Sequence, residues 1–188
     1  WQAIETDDLS GLTAAQVRAL TTLQVKSLST DQLDALNTEQ LVGFSSLQIS
    51  VLTTSQVAEI NVAYLPSLAS SQVAGLGSAQ VRNLTTDQVG VLSTDQVKSL
   101  STLQLSSLST EQVVALGSDQ FAVLSVGGLN SLSTSQLQAI ETGDFEALST
   151  AQVRALSVSQ VNSLVSKYTT AKVSDLTLPV EDTFGNLL

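Results

Sequence analysis

Residues 85–116 read TTDQVGVL STDQVKSL STLQLSSL STEQVVAL, one eight-residue unit written four times. The unit is [ST]-T-x-Q-V-x-x-L, with slots numbered one to eight from the Ser/Thr. Extended both ways, the frame runs unbroken from Glu5 to Leu164, which is twenty octads. Slot five is apolar in all twenty, slot eight is Leu, Ile or Phe in all twenty, and slot four is Gln in sixteen. A fixed short period means a solenoid or array, in which each unit contacts mainly its neighbours.

A continuous helix does not fit this period. Eight residues at about 100° each carry the apolar stripe roughly 80° around the axis per repeat. A straight strand fits poorly too. Slots five and eight are three apart, then five apart across the octad boundary, so they fall on opposite faces. A very short helix restarted every octad satisfies each slot. Slot one is Ser, Thr, Asn or Gly in seventeen octads, the preferred N-cap residues. Slot four is then N3, and Ser/Thr-x-x-Gln is the capping box. Slot eight of one octad and slot five of the next are N′ and N4, the positions of the hydrophobic staple. Leu92 is expected to pack on Val97 across Ser93.

Charge follows the same register. Seven of the seventeen acidic residues stand in slot three (Asp7, Asp31, Glu39, Asp87, Asp95, Glu111, Asp119), and five of the seven basic residues stand in slot six (Arg18, Lys26, Arg82, Lys98, Arg154). These are the helix ends where the macrodipole favours each sign, so both slots are expected to face solvent. One Leu and one Val per octad bury too little apolar surface to offset the entropy of ordering eight residues, so a lone octad cannot fold and the units must stack. The expected fold is all-α, a solenoid of very short helices with one per octad and about three octads, or else two, per superhelical turn. The alternative is a β-solenoid, since Ser, Thr and Val suit strands and corners could absorb the odd spacing.

The expected organisation is an N-terminal edge at 1–4, twenty octads at 5–164, a frame break and final repeat at 165–176, and a C-terminal cap or linker at 177–188. The first octad is degenerate, with Asp8 in the Gln slot and Gly11 in slot seven. Octad 61–68 puts Tyr64 in the Gln slot and Pro66 inside the predicted helix, where proline removes a hydrogen bond and clashes. Octad 125–132 has Gly127 and Gly128 in slots three and four, and octad 141–148 has Asp144 and Phe145 in slots four and five.

Composition narrows the function. The chain has no Cys, His or Met, so it offers no disulfide, no imidazole or thiolate metal site and no Cys or His catalyst. Its net charge of −10, with seven basic residues spread along 188, disfavours nucleic acid and anionic membrane surfaces. No apolar run approaches a membrane span, and Trp1 to Ile4 lacks the charged and apolar regions of a signal peptide. Because repeats begin almost at the first residue, the chain is expected to be a segment of a longer repeat tract.

Three polar features could carry a function. The Gln column could bind a polymer or sugar, but its spacing is what capping requires, and the same side chains could also hydrogen-bond to the next coil. The slot-two hydroxyls (Thr6, Thr22, Thr30, Thr38, Thr54, Thr86, Thr94, Thr102, Thr110, Thr134, Thr142, Thr150), if exposed, form a regular array suited to ice or a crystalline polysaccharide. The slot-three acids could hold Ca²⁺, which takes six to eight oxygens. Here acids fill at most two consecutive octads, as at Asp31 and Glu39, and Asp7, Asp8 and Asp144 add little. Helix-dipole compensation accounts for them. Tyr64 with Pro66, and Gly127 with Gly128, are read as drift in the repeat rather than binding kinks. The Ser residues have no His or Lys in fixed relation, so no hydrolase arrangement exists. The expectation is no enzyme, no cofactor and no metal site.

Units such as Leu92–Ser99 (LSTDQVKS) and Leu148–Ala155 (LSTAQVRA) resemble tandem tracts in very large repetitive proteins of Gram-negative bacteria, often labelled adhesin-like or haem-utilisation proteins. The resemblance covers about 5–176. It implies an extracellular or cell-surface repeat segment, a stalk or spacer whose partners are flanking repeats and carbohydrate or protein at a surface. The haem label gains nothing here, because no His, Met or Cys is present as an axial ligand.

Overall fold

The computed structural model describes residues 6–165. Glu5, the predicted edge at 1–4, and the final repeat and tail from 166 to 188 lie outside the described residues. Among those described there are nineteen short α-helices, one 3-10 turn and no strand, so the β-solenoid alternative is not supported. Fifteen of the helices are five residues long, starting at slot two and ending at slot six, as in Thr94–Lys98 and Thr150–Arg154.

Octad 93–100 shows how local sequence makes the unit. Ser93 is the N-cap, extended at φ −67° and ψ 158°. Its Oγ accepts the Gln96 N–H at 3.2 Å, and its own N–H donates to Gln96 Oε1 at 2.8 Å, so the capping box is complete. The Val97 N–H donates to the Ser93 carbonyl, and the Leu100 N–H to the Val97 carbonyl. No described residue takes a positive φ. The helix therefore ends without a left-handed cap, and slot eight runs directly into the next extended N-cap. This connection needs no glycine, which is why the octad can repeat without a loop.

The chain falls into two compact units, Trp1–Leu100 and Ser101–Leu188. In the first, Ala14–Arg18 packs on Thr38–Gly43, Ser46–Ser50 on Ser70–Ala74, and Ser70–Ala74 on Thr94–Lys98. In the second, Thr102–Ser107 packs on Val126–Asn130, Thr110–Val114 on Thr134–Ala139, and Ser118–Ala122 on Thr142–Glu146. Every partner begins 24 residues further on, so each unit coils with three octads per turn. Slots five and eight fill the interior, from Val17 and Val25 at the start to Val161 and Leu164 at the end. Slots three and six face solvent, as the charge pattern requires. Slot-three Leu23, Leu47 and Leu103 are exposed for the same reason.

The irregular octads keep the core and lose other parts. In 61–68 the helix is replaced by a turn and the 3-10 segment Leu65–Ser67, with Pro66 exposed. Pro66 has no N–H to give and its ring excludes the preceding helical turn, yet Leu65 and Leu68 remain buried. Octad 125–132 is a regular helix, Val126–Asn130, with Ser125 capping the Gly128 N–H at 3.0 Å. A Cβ on Gly128 would stand 2.8 Å from Leu105 Cδ1, so glycine leaves room for that leucine. The last described helix runs Val158–Val165, beyond slot six and into the first residue of the frame break.

Candidate functional site

The Gln column is the most regular polar feature, and its side chains turn inward. Gln40, Gln88 and Gln96 are no more than 1% exposed. The capping box explains only the Oε1 half of each. The Nε2 half reaches the preceding coil. Gln96 Nε2 donates to the carbonyls of Leu65 at 2.8 Å and Leu68 at 2.7 Å. Gln40 Nε2 donates to Leu9, Ser10 and Leu12, and Gln88 Nε2 to Val57, Ala58 and Ile60. In the second unit, Gln136 donates to Leu105, Ser106 and Leu108, and Gln152 to Phe121 and Leu124.

These acceptors are slots five, six and eight of the octad four earlier, the C-terminal carbonyls that a helix leaves unpaired. One side chain thus closes the N-terminus of its own helix and the C-terminus of a helix in the coil before. The sequence reading anticipated the first role and left room for hydrogen bonds to a neighbouring coil. The second has a signal in the sequence: a capping box accepts Glu as readily as Gln, yet slot four is never Glu in the twenty octads. Only the amide both accepts and donates. Where slot four departs from Gln the rung changes. Asp144, half-buried, accepts from Ser118 Oγ at 2.6 Å. Among the described residues no buried side-chain nitrogen or oxygen lacks a partner, so the buried Gln amides have nothing left for a ligand.

The slot-two row is less uniform than the sequence suggests. Thr22, Thr30, Thr38, Thr54 and Thr110 are half-buried, whereas Thr86, Thr94, Thr102, Thr134, Thr142 and Thr150 are exposed. Slot seven of the octad three later lies over the slot-two backbone. Ser99 Oγ donates to the Ser70 carbonyl at 3.1 Å. A Cβ on Gly43 would stand 2.7 Å from the Ala14 carbonyl oxygen. Slot seven is Ala, Ser or Gly in fifteen octads because backbone passes beneath it. The sequence carried that signal as a preference for small residues, but only the three-octad coil says what they pack on.

The acids are spread along the outer surface. Asp31, Glu39, Asp87, Asp95, Glu111 and Asp119 are all exposed. Among the described residues no three His, Cys, Asp or Glu side chains converge on a point that could hold a metal ion. The Glu111 carboxyl is held below the usual carboxylate range by its own backbone N–H and by the Ser109 and Thr110 hydroxyls, as befits an acid in a first helical turn. An open cleft of about 540 Å³ is lined by residues including Lys26, Ser50, Thr54, Gly77 and Ala79, and Lys26 is its one charged lining residue. Among the described residues no helix is long and apolar enough to cross a membrane.

No curated protein matches the sequence. The ALTTAQ repeat matches it five times, at residues 2–38, 30–61, 65–102, 97–126 and 137–177, which together take in most of the chain. A capped five-residue helix restarted every octad, laddered to the coil before it by glutamine, is thus the form of a chain that belongs to the ALTTAQ repeat family.

Proposed function

We propose that the chain is a structural spacer, a stalk segment of a longer adhesin-like protein that is secreted or held at a bacterial cell surface, with no catalytic role. The observation that carries this reading is the fate of the Gln column, whose buried amides, from Gln32 onward, are spent within the fold. The outward slots support it. Slot six passes through Arg, Lys, Asp, Val, Ser, Ala, Pro, Gly, Asn, Gln and Glu, a variety that suits a surface asked only to stay solvated. A competing reading, a binding module for carbohydrate, protein or ice, draws on the exposed part of the slot-two row, Thr86 and Thr94 in the first unit and Thr134, Thr142 and Thr150 in the second.

The two readings separate in one experiment. Chains lengthened by one or two in-frame copies of residues 69–92 are compared by small-angle scattering and by binding to insoluble polysaccharides and growing ice. A spacer lengthens by equal increments and binds neither. Binding that tightens with each copy and disappears with Thr86→Ala and Thr94→Ala would replace the spacer with the binding module.

A further inference from the structure

The ladder of the first unit is interrupted in its middle. Gln40, Gln48, Gln56, Gln72, Gln80, Gln88 and Gln96 each donate to the slot-eight carbonyl of the octad four earlier, at 2.7 Å in every case. Between Gln56 and Gln72, slot four is Tyr64, which is half-buried. Among the described residues its hydroxyl has no hydrogen-bond partner. Nothing donates to the Leu36 carbonyl, which stands where the slot-eight acceptor of this rung belongs.

The same octad has lost its local bonds as well. Its 3-10 segment, Leu65–Ser67, has no side-chain cap. Asn61, in the cap slot, turns its Oδ1 to the Ala63 N–H at 2.9 Å instead. The next octad starts at Ala69, which has no side-chain cap either. Octad 61–68 is also held from one direction. Gln96 of the following coil donates to the Leu65 and Leu68 carbonyls, whereas slot four of 61–68 donates nothing to the coil before. The octad therefore goes with the residues after it. At this level the rungs of Gln56 and Gln72 join two sides of the coil to the turn before. The third side, between octads 29–36 and 61–68, keeps its buried leucines, Leu33, Leu36, Leu65 and Leu68, without a rung. Hydrophobic contact has no fixed direction, so it resists tilting less than a hydrogen bond does.

We infer that this side is a hinge within the first unit. The turns before and after it part along the Leu36–Tyr64 corner and pivot on the Gln56 and Gln72 rungs. Local opening is easiest where few hydrogen bonds hold a segment, and hinge motion is absorbed at the ends of elements and in irregular segments. The inference deepens the spacer reading, and rests on it only for the use of the bend: a stalk that yields at a set place while its core stays closed.

The test replaces residues 61–68 with the sequence of residues 93–100, which supplies cap, rung and helix in frame. Native-state hydrogen exchange then compares slot-eight amides that make the same bond. Leu36 donates to Leu33 and Leu68 to Leu65 at the hinge, and Ile60 to Val57 and Leu76 to Val73 beside it. In the parent the hinge pair is expected to exchange at least about tenfold faster than the other two, and in the replaced chain as slowly as they do. Equal rates in the parent, or a replacement that slows all four alike, would overturn the inference. Distances give a second readout. The chain has no cysteine, so spin labels attach only where one is introduced. Labels at Asp34→Cys and Ala63→Cys span the open side. Labels at Ala58→Cys and Asp87→Cys span the same slots one turn on, where the Gln88 rung is present. The first pair is expected to show a distance distribution about twice as wide as the second, narrowing to match it in the replaced chain. Equal widths in the parent would also overturn the hinge. Neither readout bears on ligand binding or on lengthening by added copies, so the spacer reading stands or falls separately.

Discussion

Gln96→Glu separates the ladder from the capping box, because it alters one without the other. The substitution is nearly isosteric, and the oxygen that accepts the Ser93 N–H at 2.8 Å is retained. What is lost is Nε2, which donates to Leu65 at 2.8 Å and Leu68 at 2.7 Å from a side chain 1% exposed. The Leu65 carbonyl still accepts from the Leu68 N–H at 3.1 Å. The Leu68 carbonyl loses its side-chain donor, at about 1–3 kcal/mol. The new carboxylate is also buried against two carbonyl oxygens, and an uncompensated buried charge raises the total to about 3–5 kcal/mol at pH 7.

The cost depends on pH with a definite sign. Burial among carbonyls raises the carboxyl pKa in the folded chain, so the folded state holds its proton more tightly than the unfolded one. Below the unfolded value, about 4.3, the acid is neutral in both states and can donate one O–H. Stability relative to the parent is therefore highest there and falls as pH climbs toward the raised folded value. Urea unfolding of Gln96→Glu and parent at pH 4 and pH 7 measures the difference at each. Gln24→Glu, which has no described carbonyl beneath it, is the control and should change little. A Gln96→Glu chain as stable as the parent at pH 7, or a penalty equal at both pH values, would refute the double role of the glutamine.

Four further outcomes follow from the same geometry. Ser93→Ala and Ser101→Ala each remove an N-cap acceptor and should cost about 0.5–2 kcal/mol in urea melts, whereas Lys98→Ala on the solvent face should cost little; Ala69→Ser supplies a cap hydroxyl that octad 69–76 lacks and should stabilise by a similar amount. Gly43→Ala forces a methyl to 2.7 Å from the Ala14 carbonyl oxygen and should destabilise by about 1–3 kcal/mol, while Gly117→Ala, with nothing within 4 Å, should be far milder on the same thermal melt. Deleting Ser45–Leu68 removes one whole turn of three octads and leaves every later rung in register, so the chain should remain folded by circular dichroism; deleting only Ser93–Gln96 strips a cap and throws the apolar slots out of step, and should be the more damaging change. The Glu111 carboxyl should titrate by nuclear magnetic resonance below the usual range and move up in Ser109→Ala; because its pKa is lowered in the fold, its contribution is present above the unfolded value and is lost as pH falls through the folded one.

The sequence by itself determined the unit. Cap, capping box and charge bias act within one octad and the staple joins it to the one before, all over contacts no more than five residues apart. Reading Ser93, Gln96, Val97 and Leu100 therefore suffices to place a five-residue helix and its buried side. The repeat says that each unit is like the next, and so that they stack. Only the tertiary structure decided how. Three octads per turn is a property of angles summed along the chain, and no slot records it locally. Once the coil closes at 24 residues, Gln96 lies over the carbonyls of Leu65 and Leu68, and Ser99 over Ser70. Pro66 announced the loss of a helical turn in sequence, but that Leu65 and Leu68 would keep their places was settled by packing, because the neighbouring coils fix where those two side chains must go. The absence of Glu from slot four was written in the sequence throughout, and its reason becomes legible only when a second coil supplies the carbonyls.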